Sequence, residues 1–247
     1  MIKGLYHSAT GMLARQRNLE AITNNLANAS TVGFKAEKVV FRSMLDQAVE
    51  PHPAAMGQAY PVAESANGGL TENGGLKHTG NPLDVAVQGN GFFVVETGSG
   101  LAYTRDGRFQ LNASGELVTS TGYRVMTEQG MSYVPDGDLK INQVGELYLK
   151  PADAPAEQAL DRLLIVGFDS STKMSHLKDG LLTADQEPIQ LELPNLHPGF
   201  IEESNVNIIS QMADMLHINK LYEAAAKTIL AQDTTLGKAV NELGAVK

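Results

Sequence analysis

Two stripes of apolar residues at helical spacing stand at opposite ends of a 247-residue chain, and the segment between them has a different texture. In the first stripe Leu5, Ala9, Met12, Gln16, Leu19, Ile22, Leu26 and Ala29 follow one another at intervals of three and four. In the second, Ile209, Met212, Leu216, Asn219, Tyr222, Ala226, Ile229, Asp233, Leu236, Val240 and Leu243 keep that spacing for about ten turns. Neither segment contains a proline, so each is expected to run uninterrupted, roughly 40 and 55 Å long at 1.5 Å per residue. Ser204 or Asn205 is the expected cap of the second helix. Two helices at the ends of one chain can pair only if the middle returns to its starting point, as a folded domain with neighbouring termini would make it do.

The middle reads as β. Leu83 to Val87 alternates, Gly91 to Glu96 is a buried-strand run, and an Asp106-Gly107 turn lies between the strand-like flanks Tyr103 to Phe109. Leu117-Val118, Tyr123 to Met126, Asp138 to Asn142, Glu146 to Leu149 and Leu163 to Phe168 continue the series at short intervals, separated by Gly, Pro and Asp turns. The spacing predicts a meandering sheet or barrel-like domain rather than alternating β/α units. The expected class is α+β: long N- and C-terminal helices pairing as a coiled-coil-like module, with a central mainly-β domain. The expected division is an N-terminal helix over 1–33, an extended linker over 34–78, a central β domain over 79–200 and a C-terminal helix over 201–247.

The stripes are narrow, stand apart from the strands, and are interrupted by Gln16, Asn219 and Asp233; polar groups in an apolar seam cost stability but fix register and partner number. An isolated helical hairpin also leaves apolar surface uncovered, which marks an interface with another chain.

Other chemistry has little support. A formal charge of −9 argues against a phosphate-tracking surface, so nucleic acid is not an expected partner. No apolar run approaches the roughly 18 residues of a membrane span, and no cleaved signal is visible near Met1, so membrane insertion is not expected. The absence of cysteine removes disulfides, thiolate metal sites and the thiol nucleophile. Gly89-Asn90-Gly91 is followed by Phe92-Phe93 and a strand, where a dinucleotide fingerprint needs a third glycine opening a helix. His7, His52, His78, His176, His197 and His217 show no metal-ligand spacing, and Asp106-Gly107 and Asp136-Gly137-Asp138 are turns without the alternating oxygen ligands of a calcium loop. No catalytic residue, cofactor or metal site is expected, and the chain is expected not to be an enzyme.

Ala21-Ile22-Thr23-Asn24-Asn25-Leu26-Ala27-Asn28-Ala29-Ser30-Thr31-Val32-Gly33-Phe34-Lys35 resembles the N-terminal signature of flagellar rod and hook proteins. The run Thr79 to Val95, with Tyr103-Thr104-Arg105-Asp106-Gly107 and Phe109, is similar to the start of that family's β domain. Glu203-Ser204-Asn205-Val206-Asn207, then Met212 and Leu221-Tyr222-Glu223-Ala224, resembles its C-terminal helix.

The resemblance implies a structural subunit of the flagellar basal-body rod. It would leave the cytoplasm unfolded through the flagellar export apparatus, without a cleaved signal peptide, and polymerise into a helical tube crossing the periplasm. Its implied partners are copies of itself and other flagellar rod or hook subunits. The start Met1 to Tyr6 and the ending Ala239 to Gly244 lean towards a proximal rather than a distal rod subunit, while Leu221-Tyr222-Glu223 departs from the Arg-Ala-Tyr-Glu usual in the distal rod. Another axial subunit, distal rod or hook-like, and a secreted adhesin flanked by coiled-coil helices are the alternatives. Under the rod reading the expected assembly interface is Leu5, Met12, Leu19, Ile22, Asn24, Asn25, Leu26, Asn28, Gly33 and Phe34 at one end. At the other it is Ile209, Met212, Leu216, Tyr222, Ile229, Leu236, Val240 and Leu243.

Overall fold

The structure is a computed structural model and describes residues 2–43, 61–66, 72–131, 133–135, 137–151, 158–169, 172–191 and 193–244. The chain divides into two compact units. The first contains the described residues of Met1–Ala27, Glu37–Ala66 and Asn207–Lys247, and the second those of Asn28–Ala36 and Asn67–Val206. The short segment Asn28–Ala36 thus belongs to a different unit from the residues on either side of it.

The helical unit consists of α1, Ile2–Ala27, and α2, Ile208–Gly244, which lie against one another, with a two-stranded antiparallel ladder packed on α1. That ladder pairs Lys38–Ser43 with Pro61–Ala66, from Lys38 opposite Ala66 to Ser43 opposite Pro61, inside the span expected as an extended linker. Val39, Val40 and Phe41 supply the β-branched and aromatic run that favours extended backbone there. The α2 cap differs from expectation. Asn207 caps the helix, its Oδ1 accepting from the amides of Ile209 at 3.0 Å and Ser210 at 3.1 Å. Ser204 bonds the Val206 amide and Asn205 bonds the Ala36 amide, so both candidates are engaged upstream of the helix.

The β unit is built on a ten-stranded mixed-path sheet, a three-stranded sheet and two strand pairs among the described residues. Strand Gly91–Thr97 lies between Gly100–Thr104 and Arg124–Thr127 and also pairs with Ile165–Gly167. Its first five residues are buried, and alternate side chains serve two cores. Phe93 and Val95 join Val85, Phe109, Leu117, Leu147, Leu163 and Leu196, whereas Phe92 and Val94 pack with Tyr103, Val166, Met174 and Leu182. A strand with both faces covered has no polar alternation to show, which is why it reads as a continuous apolar run.

One hairpin is used twice. Phe109 to Thr119 and Leu139 to Leu149 both carry Asn-x-x-Gly-Glu-Leu at their tips, with Leu111 opposite Leu117 in one and Ile141 opposite Leu147 in the other. In each tip the asparagine Oδ1 accepts from the amides two and four residues on, and its Nδ2 donates to the glutamate carboxylate. The tip glycines, Gly115 and Gly145, hold φ of +76° and +87° to complete the turn.

Candidate assembly site

In the helical unit Asn25 is buried at 2% exposure, and its amide bonds both the N–H and the C=O of one residue. Its Oδ1 accepts from the Glu37 amide at 2.8 Å while its Nδ2 donates to the Glu37 carbonyl at 2.9 Å and to Gln211 Oε1 at 3.3 Å. Glu37 and α2 are thereby tied to the same point on α1. Ala21 and Ile22 are buried, and Met12, Leu19, Asn24 and Leu26 are half-buried along α1. On α2 the half-buried positions include Gln211, Met215, Ile218, Ala225, Ile229, Gln232 and Leu236. Ile209 at 81%, Met212 at 51%, Leu216 at 65% and Tyr222 at 39% are exposed, as is Leu230. The helix thus carries a second apolar arc that its own subunit does not cover. Leu5, Val240 and Leu243 lie in these helices, but their side chains fall outside the described residues.

In the β unit the motif Gly33-Phe34-Lys35 forms a strap. α1 stops at Ala27, and a turn with the Thr31 amide on the Asn28 carbonyl at 3.1 Å brings the chain to Gly33. Gly33 has φ +69°, and a Cβ there would stand 2.4 Å from the Arg105 carbonyl carbon, so both its conformation and its space require glycine. Its amide donates to the Glu202 carbonyl at 2.8 Å. Phe34 is buried and stacks on His176 with ring centroids 5.3 Å apart.

Lys35 enters a charge cluster closed to solvent. Its Nζ donates to Glu202 Oε1 at 2.7 Å, to the Glu72 carbonyl at 2.8 Å and to Asn73 Oδ1 at 3.2 Å. Glu202 Oε1 also accepts from the Gly74 amide at 2.9 Å, and Oε2 from Arg105 at 3.1 Å. The Arg105 guanidinium further donates to the carbonyls of Val87 and Gly89 and lies over the Phe92 ring, while its Nε meets no acceptor among the described residues. Burial, reinforced by the neighbouring Arg105 charge, pushes the Lys35 ammonium below its ordinary pKa, against the opposing pull of Glu202. Burial likewise lowers Arg105.

Sequence reasoning placed Lys35 and Arg105 inside family motifs without pairing them and passed over Glu202. Pairing positions 167 apart is beyond local pattern; the available signal was a lysine and a glutamate each following buried apolar residues, Phe34 and Ile201.

The polar groups built into both units bond the chain's own backbone and charged side chains. Residues 5–35 match the flagella basal body rod protein model, residues 86–149 the flagellar hook protein FlgE/F/G D1 domain, and residues 197–242 the flagellar basal body rod FlgEFG protein C-terminal model. The flagellar basal-body rod protein FlgG of Buchnera aphidicola is 31% identical, over 96% of this chain and 98% of the relative. FlgG of Bacillus subtilis is 30% identical over 98% and 99%, and the rod protein FlgF of Rhizobium meliloti 31% over 99% of each. The chain belongs to the flagellar basal-body rod protein family. It is a structural subunit located in the flagellar basal body, not an enzyme. Relatives of both names match at 31%, so identity ranks neither above the other. No helix among the described residues is long and apolar enough to cross a membrane.

Proposed function

We propose that this subunit joins the growing rod through its terminal helices, which pair as a coiled-coil-like module, after export in an unfolded state through the flagellar export apparatus. The supporting observation is the uncovered arc of α2, Ile209, Met212, Leu216 and Tyr222, on a helix that already lies against α1 within the subunit. Apolar surface left open on one face of a paired helix is suited to burial by the next subunit, in a contact that repeats without closing. The partners are further copies of the chain and other rod or hook subunits. The functional division runs as an N-terminal segment 1–33 that contains α1, an extended linker 34–78, a central β domain 79–200 and a C-terminal segment 201–247 that contains α2, the two ends serving as the assembly module. Leu5, Met12, Leu19, Ile22, Leu26, Ile229, Leu236, Val240 and Leu243 make the seam, while Asn24, Asn25, Asn28, Gly33 and Phe34 set how the chain leaves the first helix. The start and end of the sequence lean towards the proximal rod.

Leu216→Asp tests the reading, because Leu216 is 65% exposed and its loss leaves the subunit's own packing in place. Burying a leucine contributes about 1.5–3 kcal/mol, and a carboxylate in its place opposes burial. Cells carrying only this variant are expected to be non-motile, with purified protein that melts as wild type. Swimming at the normal rate with the variant in the rod would sink the proposal. Leu26→Asp, at a half-buried position, is expected to block assembly as well while leaving the β unit folded.

A further inference from the structure

The Lys35–Glu202–Arg105 cluster sits at the point where the segment that continues into α1 meets the segment that continues into α2, both within the β unit. Three backbone–backbone hydrogen bonds among the described residues join these segments to each other or to Asn73–Gly75: the Gly33 amide on the Glu202 carbonyl, the Asn205 amide on the Phe34 carbonyl and the Glu203 amide on the Gly75 carbonyl. The amides of Ala36 and Gly74 add bonds to the side chains of Asn205 and Glu202. Neither of the two hydrophobic clusters includes a residue of Asn28–Ala36 among the described residues. Apart from Phe34, which is buried and stacked on His176, the strap is held by polar and ionic contacts, and the sheet by apolar burial.

We propose that this cluster is a clasp. It opens and closes as one element, releasing residues 28–36 and 202–206 together while the sheet core stays shut, and Glu202 is its keystone. The charge count supports that role. Two cations share one carboxylate at 1% exposure or less, so removing Lys35 leaves a matched pair, whereas removing the carboxylate charge leaves two cations facing each other out of water. The lowered pKa of Lys35, caused first by burial and next by Arg105, agrees with that imbalance. Closure spans 167 positions, so it completes only when both segments are present. In a chain exported unfolded, as proposed above, the two segments would be fastened to each other only after both had arrived.

Hydrogen exchange on the purified, unassembled full chain tests the clasp without any reliance on export or assembly. In the wild type the Gly33, Ala36 and Asn205 amides are expected to exchange through a common opening, well before those of Phe93 and Val95. Glu202→Gln should accelerate the clasp amides by about 100-fold or more and leave the sheet amides within about threefold. Lys35→Met alone should accelerate them by less than about tenfold, and adding it to Glu202→Gln should recover at least about tenfold, because it removes one of the two opposed cations. Clasp and sheet amides accelerating in step would overturn the proposal, and so would a double variant that exchanges no more slowly than Glu202→Gln. Should Glu202→Gln fail to fold, the sheet depends on the cluster and the proposal fails. Exchange of the wild type in rising urea decides the point independently: two separate openings support the clasp, and a single shared opening overturns it.

Discussion

Gly33→Ala carries a cost that the structure itself sets. The native φ of +69° costs a residue with a side chain about 1–2 kcal/mol. A Cβ would also stand 2.4 Å from the Arg105 carbonyl carbon, 2.5 Å from the Asp106 nitrogen and 2.7 Å from the Arg105 oxygen, all main-chain atoms that no rotamer change can move. Reaching ordinary contact requires a displacement of about 1 Å, which also breaks the 2.8 Å bond from the Gly33 amide to Glu202, a further loss of about 1 kcal/mol. The total is about 2–3 kcal/mol, or about 4–12 °C in the melting midpoint of a unit this size. Gly122→Ala isolates the conformational part, because its φ is +90° and nothing lies within 4 Å of the added atom; its expected loss is about 2–8 °C. Calorimetry of the two variants beside wild type, with hydrogen exchange at Ala36 and Asn205, reads both the global and the local share. If the strap detaches, the midpoint stops falling once the clasp's own opening energy is reached, and the two amides lose protection instead. A Gly33→Ala protein that melts within about 2 °C of Gly122→Ala, with Ala36 and Asn205 as protected as in wild type, would refute the reasoning.

Two smaller perturbations have equally definite signs. The Glu146 carboxylate accepts from the Tyr148 hydroxyl at 2.6 Å and from Asn142, which hold its pKa below the ordinary 4.5, with Tyr148 the larger cause. A lowered folded pKa gives stability that is present above pH 4.5 and lost as pH falls through the folded value, so Tyr148→Phe should raise the Glu146 pKa and reduce the acid sensitivity. An unchanged Glu146 titration by carbon NMR in Tyr148→Phe would show the hydroxyl to be irrelevant. At the start of α2, Asn207→Ala strips the cap from the Ile209 and Ser210 amides and should cost about 0.5–2 kcal/mol, seen as fraying of that turn, while Asn205→Ala should leave the turn intact and loosen Ala36 instead.

The two terminal helices and most of the strands were legible because each repeats a period over enough residues to stand out. α1 stops at Ala27, inside the Asn24 to Gly33 run and short of the expected end at residue 33, and Gly91–Thr97 reads as a strand from its unbroken apolar run. What periodicity could not tell is which arc of α2 faces α1. The helix is apolar at Ile209, Met212 and Leu216 and again at Met215, Ile218 and Ala225, and both sets satisfy the same spacing. The cap was misplaced for a related reason: Ser204, Asn205 and Asn207 are all competent, and the choice falls to Asn207 only because Asn205 is occupied by the strap. The charge cluster lay beyond local reasoning altogether, since its members come from residues 35, 105 and 202 and meet only in the finished fold.

Asn25 behaves as a surrogate strand. By offering one acceptor and one donor to the N–H and C=O of the same residue, it treats residue 37 as the neighbouring rung of a sheet would, and this contact makes no demand on the side chain borne there. The contact itself therefore requires only an N–H at position 37, which excludes proline. One buried amide thus fixes the path of the chain through main-chain atoms alone.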